Sequence, residues 1–147
     1  MTKLYEAVSK LVTDKLKKIT TANGYSDNVC ILEGFINFYV EDLVHGKRGL
    51  HFPAVAVNYE RDIIVQQTGS IIAKTDRTMN LVGAVSTDKP ELVNNQLDDL
   101  LFDVKVALGT ERNLTITDVN FMLPENNTGY AMFSMTIKIT QTEDWKL

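Results

Sequence analysis

Apolar residues recur at helical spacing near the N-terminus, at Leu4, Val8, Leu11, Val12, Leu16 and Ile19. This spacing predicts an amphipathic helix. Lys3, Lys10, Asp14, Lys17 and Lys18 take the opposite side. The lysines crowd the last turns, where they favour the negative end of the helix dipole. Asn23-Gly24 is the expected stop. Val29 to Leu32 then reads as a short strand. Gly34 to His51 follows no single period. Its apolar residues Phe35, Ile36, Phe38, Tyr39, Leu43 and Val44 fit either a short helix or an apolar loop. His45-Gly46-Lys47-Arg48-Gly49 reads as an exposed turn.

From Phe52 the pattern turns β-rich. Phe52-Pro53-Ala54-Val55-Ala56-Val57-Asn58-Tyr59 reads as a strand of small and β-branched residues with proline at its first positions. Arg61 to Arg77 reads as an extended hairpin with its tip near Gln67–Ser70, and Thr78 to Val85 continues as a strand. The hairpin carries the apolar pairs Ile63-Ile64 and Ile71-Ile72. Neighbouring strand residues point to opposite faces, so one core cannot hold both members of a pair. Either both faces are covered or one meets a partner subunit.

A second helix is predicted with Asp88 as N-cap, Pro90 in the first turn and Glu91 completing a capping box. Val93, Leu97, Leu100, Leu101, Val104 and Leu108 form its stripe, and Gly109 ends it. Two strands close the chain, Thr115 to Leu123 and Tyr130 to Thr140, around a turn at Pro124–Gly129. Phe133, Met135, Ile137 and Ile139 alternate with polar residues, as in a half-buried antiparallel strand. The expected fold is α+β: a mainly antiparallel sheet, two amphipathic helices packed on one face, and an extended β-hairpin.

The 147 residues fit one domain, with 44% hydrophobic and 23% charged residues, as in ordinary globular proteins. A net charge of −4 and a pI of about 5.1 argue against free nucleic acid as a ligand for the whole surface. Lys47-Arg48 is the best candidate for a local basic patch. The single cysteine, Cys30, cannot form an intrachain disulfide and reads as a small buried hydrophobe. The N-terminus lacks the apolar run of a signal peptide, and no segment has the length of apolar residues that spans a membrane.

Reactive chemistry is sparse. His45 and His51 are the only histidines, and neither sits at i, i+4 from a ligand on a secure helix. No metal or other cofactor is expected. Asp98, Asp99 and Asp103 form an acidic cluster on the second helix, read as a solvated face or, in an oligomer, as lining a lumen or meeting a partner. No phosphate loop or nucleophile elbow is present, and no enzyme activity is expected. The sole tryptophan, Trp145, lies in a polar tail and is a candidate interface anchor.

The order of elements resembles the tail terminator proteins of long-tailed phages, in the family of the phage lambda terminator. There, an N-terminal amphipathic helix leads through a variable stretch to a Phe-Pro-Ala-Val-Ala-Val strand, here Phe52–Val57. A hairpin, a strand, a long helix and two closing strands follow. The resemblance covers most of the chain, although Gly34–Gly49 has no counterpart in it.

The resemblance implies a virion protein, assembled in the host cytoplasm, at the head-proximal end of the tail. It implies a homo-oligomeric ring, a hexamer, that caps the tail tube, stops its polymerisation and meets the head connector or neck. In a contractile tail the ring also meets the sheath. DNA only passes through the lumen. A neck, head–tail joining or tube protein of related fold is the alternative. The residues expected to contact subunit or tube are Ile63, Ile64, Val65, Gln66, Gln67, Ile71, Ile72 and Trp145.

Overall fold

A computed structural model describes residues 3–122, 124 and 128–146. Five strands form one sheet in the order β1-β2-β3-β5-β4. They are β1 (Cys30–Glu33), β2 (Ala54–Gln66), β3 (Ile72–Ser86), β4 (Leu114–Met122) and β5 (Tyr130–Asp144). β1 runs parallel to β2, and the other neighbours are antiparallel. Helices α1 (Lys10–Leu16) and α3 (Val93–Leu108) pack on one face, as the apolar stripes require. The short α2 (Val40–His45) lies against the other face.

The main core is sealed between the two long helices and the sheet. Val8, Val12 and Leu16 meet Leu97, Val104 and Leu108 over Met79, Leu81, Phe133, Met135 and Ile137. The alternation read in the last strand is observed, with Phe133, Met135, Ile137 and Ile139 all buried. Gly83 pairs with Phe133. A Cβ at Gly83 would lie 2.3 Å from the Phe133 ring, so the missing side chain is the space the ring occupies.

Several element boundaries differ from expectation. The first helix opens as a π-helical turn, Tyr5–Ser9, and ends at Leu16. Asn23-Gly24 instead closes a later 3₁₀ turn, with Gly24 left-handed at φ 89°. The chain must turn there to reach β1, and Ile19 is buried beyond the helix end. Asp88 does not cap the second helix. Its amide donates to Ser86 Oγ, and a 3₁₀ turn at Pro90–Leu92 leads into α3.

β2 begins at Ala54, and the Pro53 carbonyl just before it accepts the Cys30 amide at 2.9 Å. β2 and β3 are unbroken across the segments read as separate strands, with one bulge at Glu60. β5 runs past Thr140 to Asp144 because β3 pairs with it along its whole length. Leu123 and residues 125–127 of the closing turn lie outside the described residues.

Gly34–Gly49 forms a 3₁₀ turn, α2 and a second tight turn. Ile36 and Leu43 bury against Leu32, Ala54, Ala56 and Ala84 on the sheet face opposite α1 and α3. The small residues of the Ala54–Val57 string therefore serve two layers. Alanines face α2, and valines face the main core.

Candidate functional site: the exposed end of the sheet

The helix-covered core ends near the level where Arg77 pairs with Ile139. Beyond it β2, β3 and β5 continue as a three-stranded ribbon. Ser70 N donates to Gln67 O, and Gly69 at φ 79° completes the tip, as the turn chemistry requires. Gln66 Nε2 donates to the Ser70 carbonyl across that turn at 2.7 Å. Trp145 N donates to Ile71 O, so the tail extends the β3–β5 ladder by one step.

The ribbon exposes the apolar residues that the sequence singles out. Ile63, Ile64, Val65, Ile71 and Ile72 are all exposed, Val65 at 67%. Gln66 and Gln67 are exposed beside them. Ile63, Ile64 and Val65 are consecutive, so both faces of the ribbon carry apolar surface. Trp145 is partly covered, at 38% exposure, beside Ile71.

Arg77 anchors the base of the ribbon. Its guanidinium donates to both Asp62 oxygens at 2.8 and 2.9 Å and to Ser9 Oγ at 3.2 Å. It also stacks 4.3 Å above the Tyr59 ring. The hydrogen bonds to Asp62 raise the Arg77 pKa further above its usual range, against the effect of burial. Sequence reading did not single out Arg77. The signal for it lay in the basic–acidic pairing of Arg77 with Asp62 across the hairpin.

A cleft of about 300 Å³ opens where β1 stops at Glu33 while β2 continues. Ser9 and Thr13 of the N-terminal helix, Gly34, Phe35, Val57 and Tyr59 help line it. Phe35 also lines it and pairs edge-to-face with Phe38, and both rings are exposed. The sheet face away from the two long helices is polar along β3 and β5. Ser134 donates to Asn80 Oδ1 at 2.7 Å, and Thr140 donates to Asp76 Oδ1 at 2.6 Å.

The acidic cluster divides. Asp98 and Asp99 are exposed, but Asp103 is 5% exposed and not on a solvated face. Its Oδ2 accepts the Ser26 amide at 3.1 Å, which draws the carboxylate inward against the loop after α1. Burial raises the Asp103 pKa, the Ser26 hydrogen bonds oppose the rise, and Asp27 and Asp99 add to it. His45 and His51 both border a shallow surface depression next to α2. Among the described residues no three metal-ligating side chains come together. Arg48 is ion-paired with Asp42, so that half of the Lys47-Arg48 pair is neutralised locally. Cys30 is half-buried. No helix among the described residues is long and apolar enough to cross a membrane.

No protein-family model and no curated protein sequence matches this chain. Among solved structures, the type 4 fimbrial biogenesis protein PilO from Pseudomonas aeruginosa matches 95% of this chain and 86% of its own. The identity is 10% and the TM-score 0.31, a likeness that carries no argument.

Proposed function

We propose that this chain is a structural subunit of a phage tail, a terminator that assembles into a ring on the end of the tail tube. The observation that carries this reading is the ribbon, which exposes apolar residues on both faces at the end of the sheet. Exposed apolar surface of that kind marks an interaction site. The resemblance in element order supplies the assembly. In it, a hexameric ring ends tube growth and offers its other side to the head connector, and in a contractile tail it also contacts the sheath. DNA passes through the lumen without a specific site. The ribbon residues Ile63–Gln67, Ile71, Ile72 and Trp145 take the subunit and tube contacts. Asp103 is held inside its own subunit and takes no lumen role in this proposal.

The test is assembly of the purified protein, by light scattering after size exclusion and by negative-stain imaging, alone and with tail tubes. The expected result is a ring with a central hole that stops at one layer and caps tube ends. Long tubes formed by the protein alone would transfer it to the tube proteins. A monomer that neither assembles nor binds tube ends would refute the proposal.

A further inference from the structure

Two segments of this sheet have no strand on their outer side among the described residues. One is Asn58–Gln66, the nine residues of the 13-residue β2 beyond the four that pair with β1. The other is β4, also nine residues, at the opposite edge. β2 is antiparallel to β3, β3 to β5 and β5 to β4, so β2 and β4 run in opposite directions. A second copy in the same orientation therefore offers its β4 antiparallel to the free half of β2. Helices α1 and α3 of both copies then lie on one side, and α2 of both on the other.

The backbone groups are aimed for this pairing. Gly34 N donates to Val57 O, so Val57 points its peptide groups out of the edge. In a strand of L-residues, side-chain face and amide direction are locked together. The helix-face residues on either side of the bulge at Glu60 thus also point outward: Tyr59 before it, and Asp62, Ile64 and Gln66 after it. β4 runs the other way on the other edge, so its helix-face residues Leu114, Ile116, Val119 and Phe121 point outward as well.

We propose that the free half of β2 receives β4 of a second copy of this chain, with Tyr59 opposite Phe121 and Gln66 opposite Leu114. The proposal rests on the reading of the chain as a ring subunit and names its junction. All four outward-pointing residues of each segment then meet in pairs. Each segment has one bulge, at Glu60 and at Thr117, so the two remain equal in length. Ile64 meets Ile116 on the helix face. On the other face Arg61 comes diagonally beside Asp118, a pair of opposite charges. Phe121 is 57% exposed and faces the helix side, and opposite Tyr59 its ring reaches the cleft at the end of β1.

The register also favours closure. Within one copy Leu114 is level with Ile139, Arg77 and Asp62. Across the proposed junction it is level with Gln66. Crossing the four strands of one copy therefore shifts the register by four residues, one per strand. The eight-stranded barrel with a shear of 8 has the same ratio and a strand tilt of about 36°. Closed sheets in general tilt by about 35–45°. Seen from the helix side with β2 pointing up, the next copy lies to the right and each crossing descends along β2. That is the right-handed coil of a closed barrel with α1 and α3 outside and α2 on the lumen side. The threonine-rich face then lines the lumen, and Asp98 and Asp99 lie on the outer side.

The test is a cysteine cross-link. Val65 and Thr115 are exposed and face one another across the junction as a non-hydrogen-bonded pair. Such pairs bring Cα atoms to about 4.5 Å, within disulfide reach. In a Cys30→Ser background, Val65→Cys with Thr115→Cys should give a ladder of reducible multimers on mild oxidation. Each single variant should stop at dimers or monomers. A second variant, Phe121→Asp, should keep the thermal midpoint measured below the assembly concentration, and shift assembly to about tenfold higher protein concentration or more. Rings that assemble without the ladder, and are untouched by Phe121→Asp, overturn this junction while the ring reading stands. A protein that never assembles, alone or on tube ends, overturns both.

Discussion

Gly83 is the position at which one methyl group should matter most to the fold. An alanine Cβ there would lie 2.3 Å from Phe133 Cζ, 2.4 Å from Cε1 and 3.0 Å from Cε2. Carbon atoms in contact sit about 3.5–4.0 Å apart, so the ring must move by more than an ångström. Phe133 is fully buried among the residues of the main core, and no solvent-facing space receives it. Overpacking of this kind costs about 1–3 kcal/mol. Replacing a strand glycine by alanine otherwise stabilises by about 0.5–1 kcal/mol. Gly83→Ala should therefore destabilise by about 1–2 kcal/mol, a fall of about 0.5–1 M in the urea midpoint. Phe133→Leu removes the outer ring atoms and costs about 1–3 kcal/mol alone through the space it leaves. In the double variant the new methyl fills part of that space, so the cycle should show a favourable coupling of about 1 kcal/mol or more. Urea unfolding followed by Trp145 fluorescence and far-UV dichroism measures it. The protein must be kept below the concentration at which it assembles, because assembly shifts the midpoint. An unchanged midpoint for Gly83→Ala, or additivity within about 0.5 kcal/mol, would refute the reasoning.

Arg77→Lys should not rescue Arg77→Ala. Both lose the two-pronged contact with Asp62 and the planar stacking on Tyr59, and each should cost about 1.5–3 kcal/mol in urea unfolding; a lysine variant as stable as the parent would show that charge alone suffices. Asp103→Asn keeps an acceptor for the Ser26 amide and removes a buried charge. A carboxyl whose folded pKa is raised binds protons more tightly when folded, so its stability contribution is lost as pH rises above the unfolded value of 3.8. The asparagine variant should therefore be more stable than the parent at pH 7, with the gap narrowing toward pH 4, and a gap independent of pH would contradict this. Deleting Gln66–Ser70 should weaken ring or tube binding while leaving far-UV dichroism and the cooperative unfolding transition intact; unchanged assembly would remove the ribbon from the interface.

The two long helices and the closing strand were legible because each has a period that its own burial enforces. Leu97, Leu100, Leu101, Val104 and Leu108 are buried at helical spacing. Phe133, Met135, Ile137 and Ile139 are buried at strand spacing. The misplaced boundaries are at chain turns. Asp88 has the chemistry of a cap, but its amide is taken by Ser86 and the helix starts later. Asp103 lies off the apolar stripe of its helix, and that position taken alone implies solvent. The partner that pulls it inward, Ser26, lies 77 residues away in the chain. Gly34–Gly49 has no clear period because it packs as short turns over a small apolar patch.

The chain by itself determined which segments are helix and strand, the α+β class, and the presence of an apolar hairpin that one core cannot bury. Those properties follow from local periodicity and turn chemistry, which short stretches of sequence carry in full. The tertiary structure decided which residues meet across the sheet. It placed α2 on the second face, Arg77 between Asp62, Ser9 and Tyr59, and the Phe133 ring in the space above Gly83. Among the described residues it also left nine residues of β2 and all of β4 as open edges, because β1 is only four residues long and β4 ends the strand order. Strand order and pairing length are set by contacts between distant parts of the chain, and no local pattern records them.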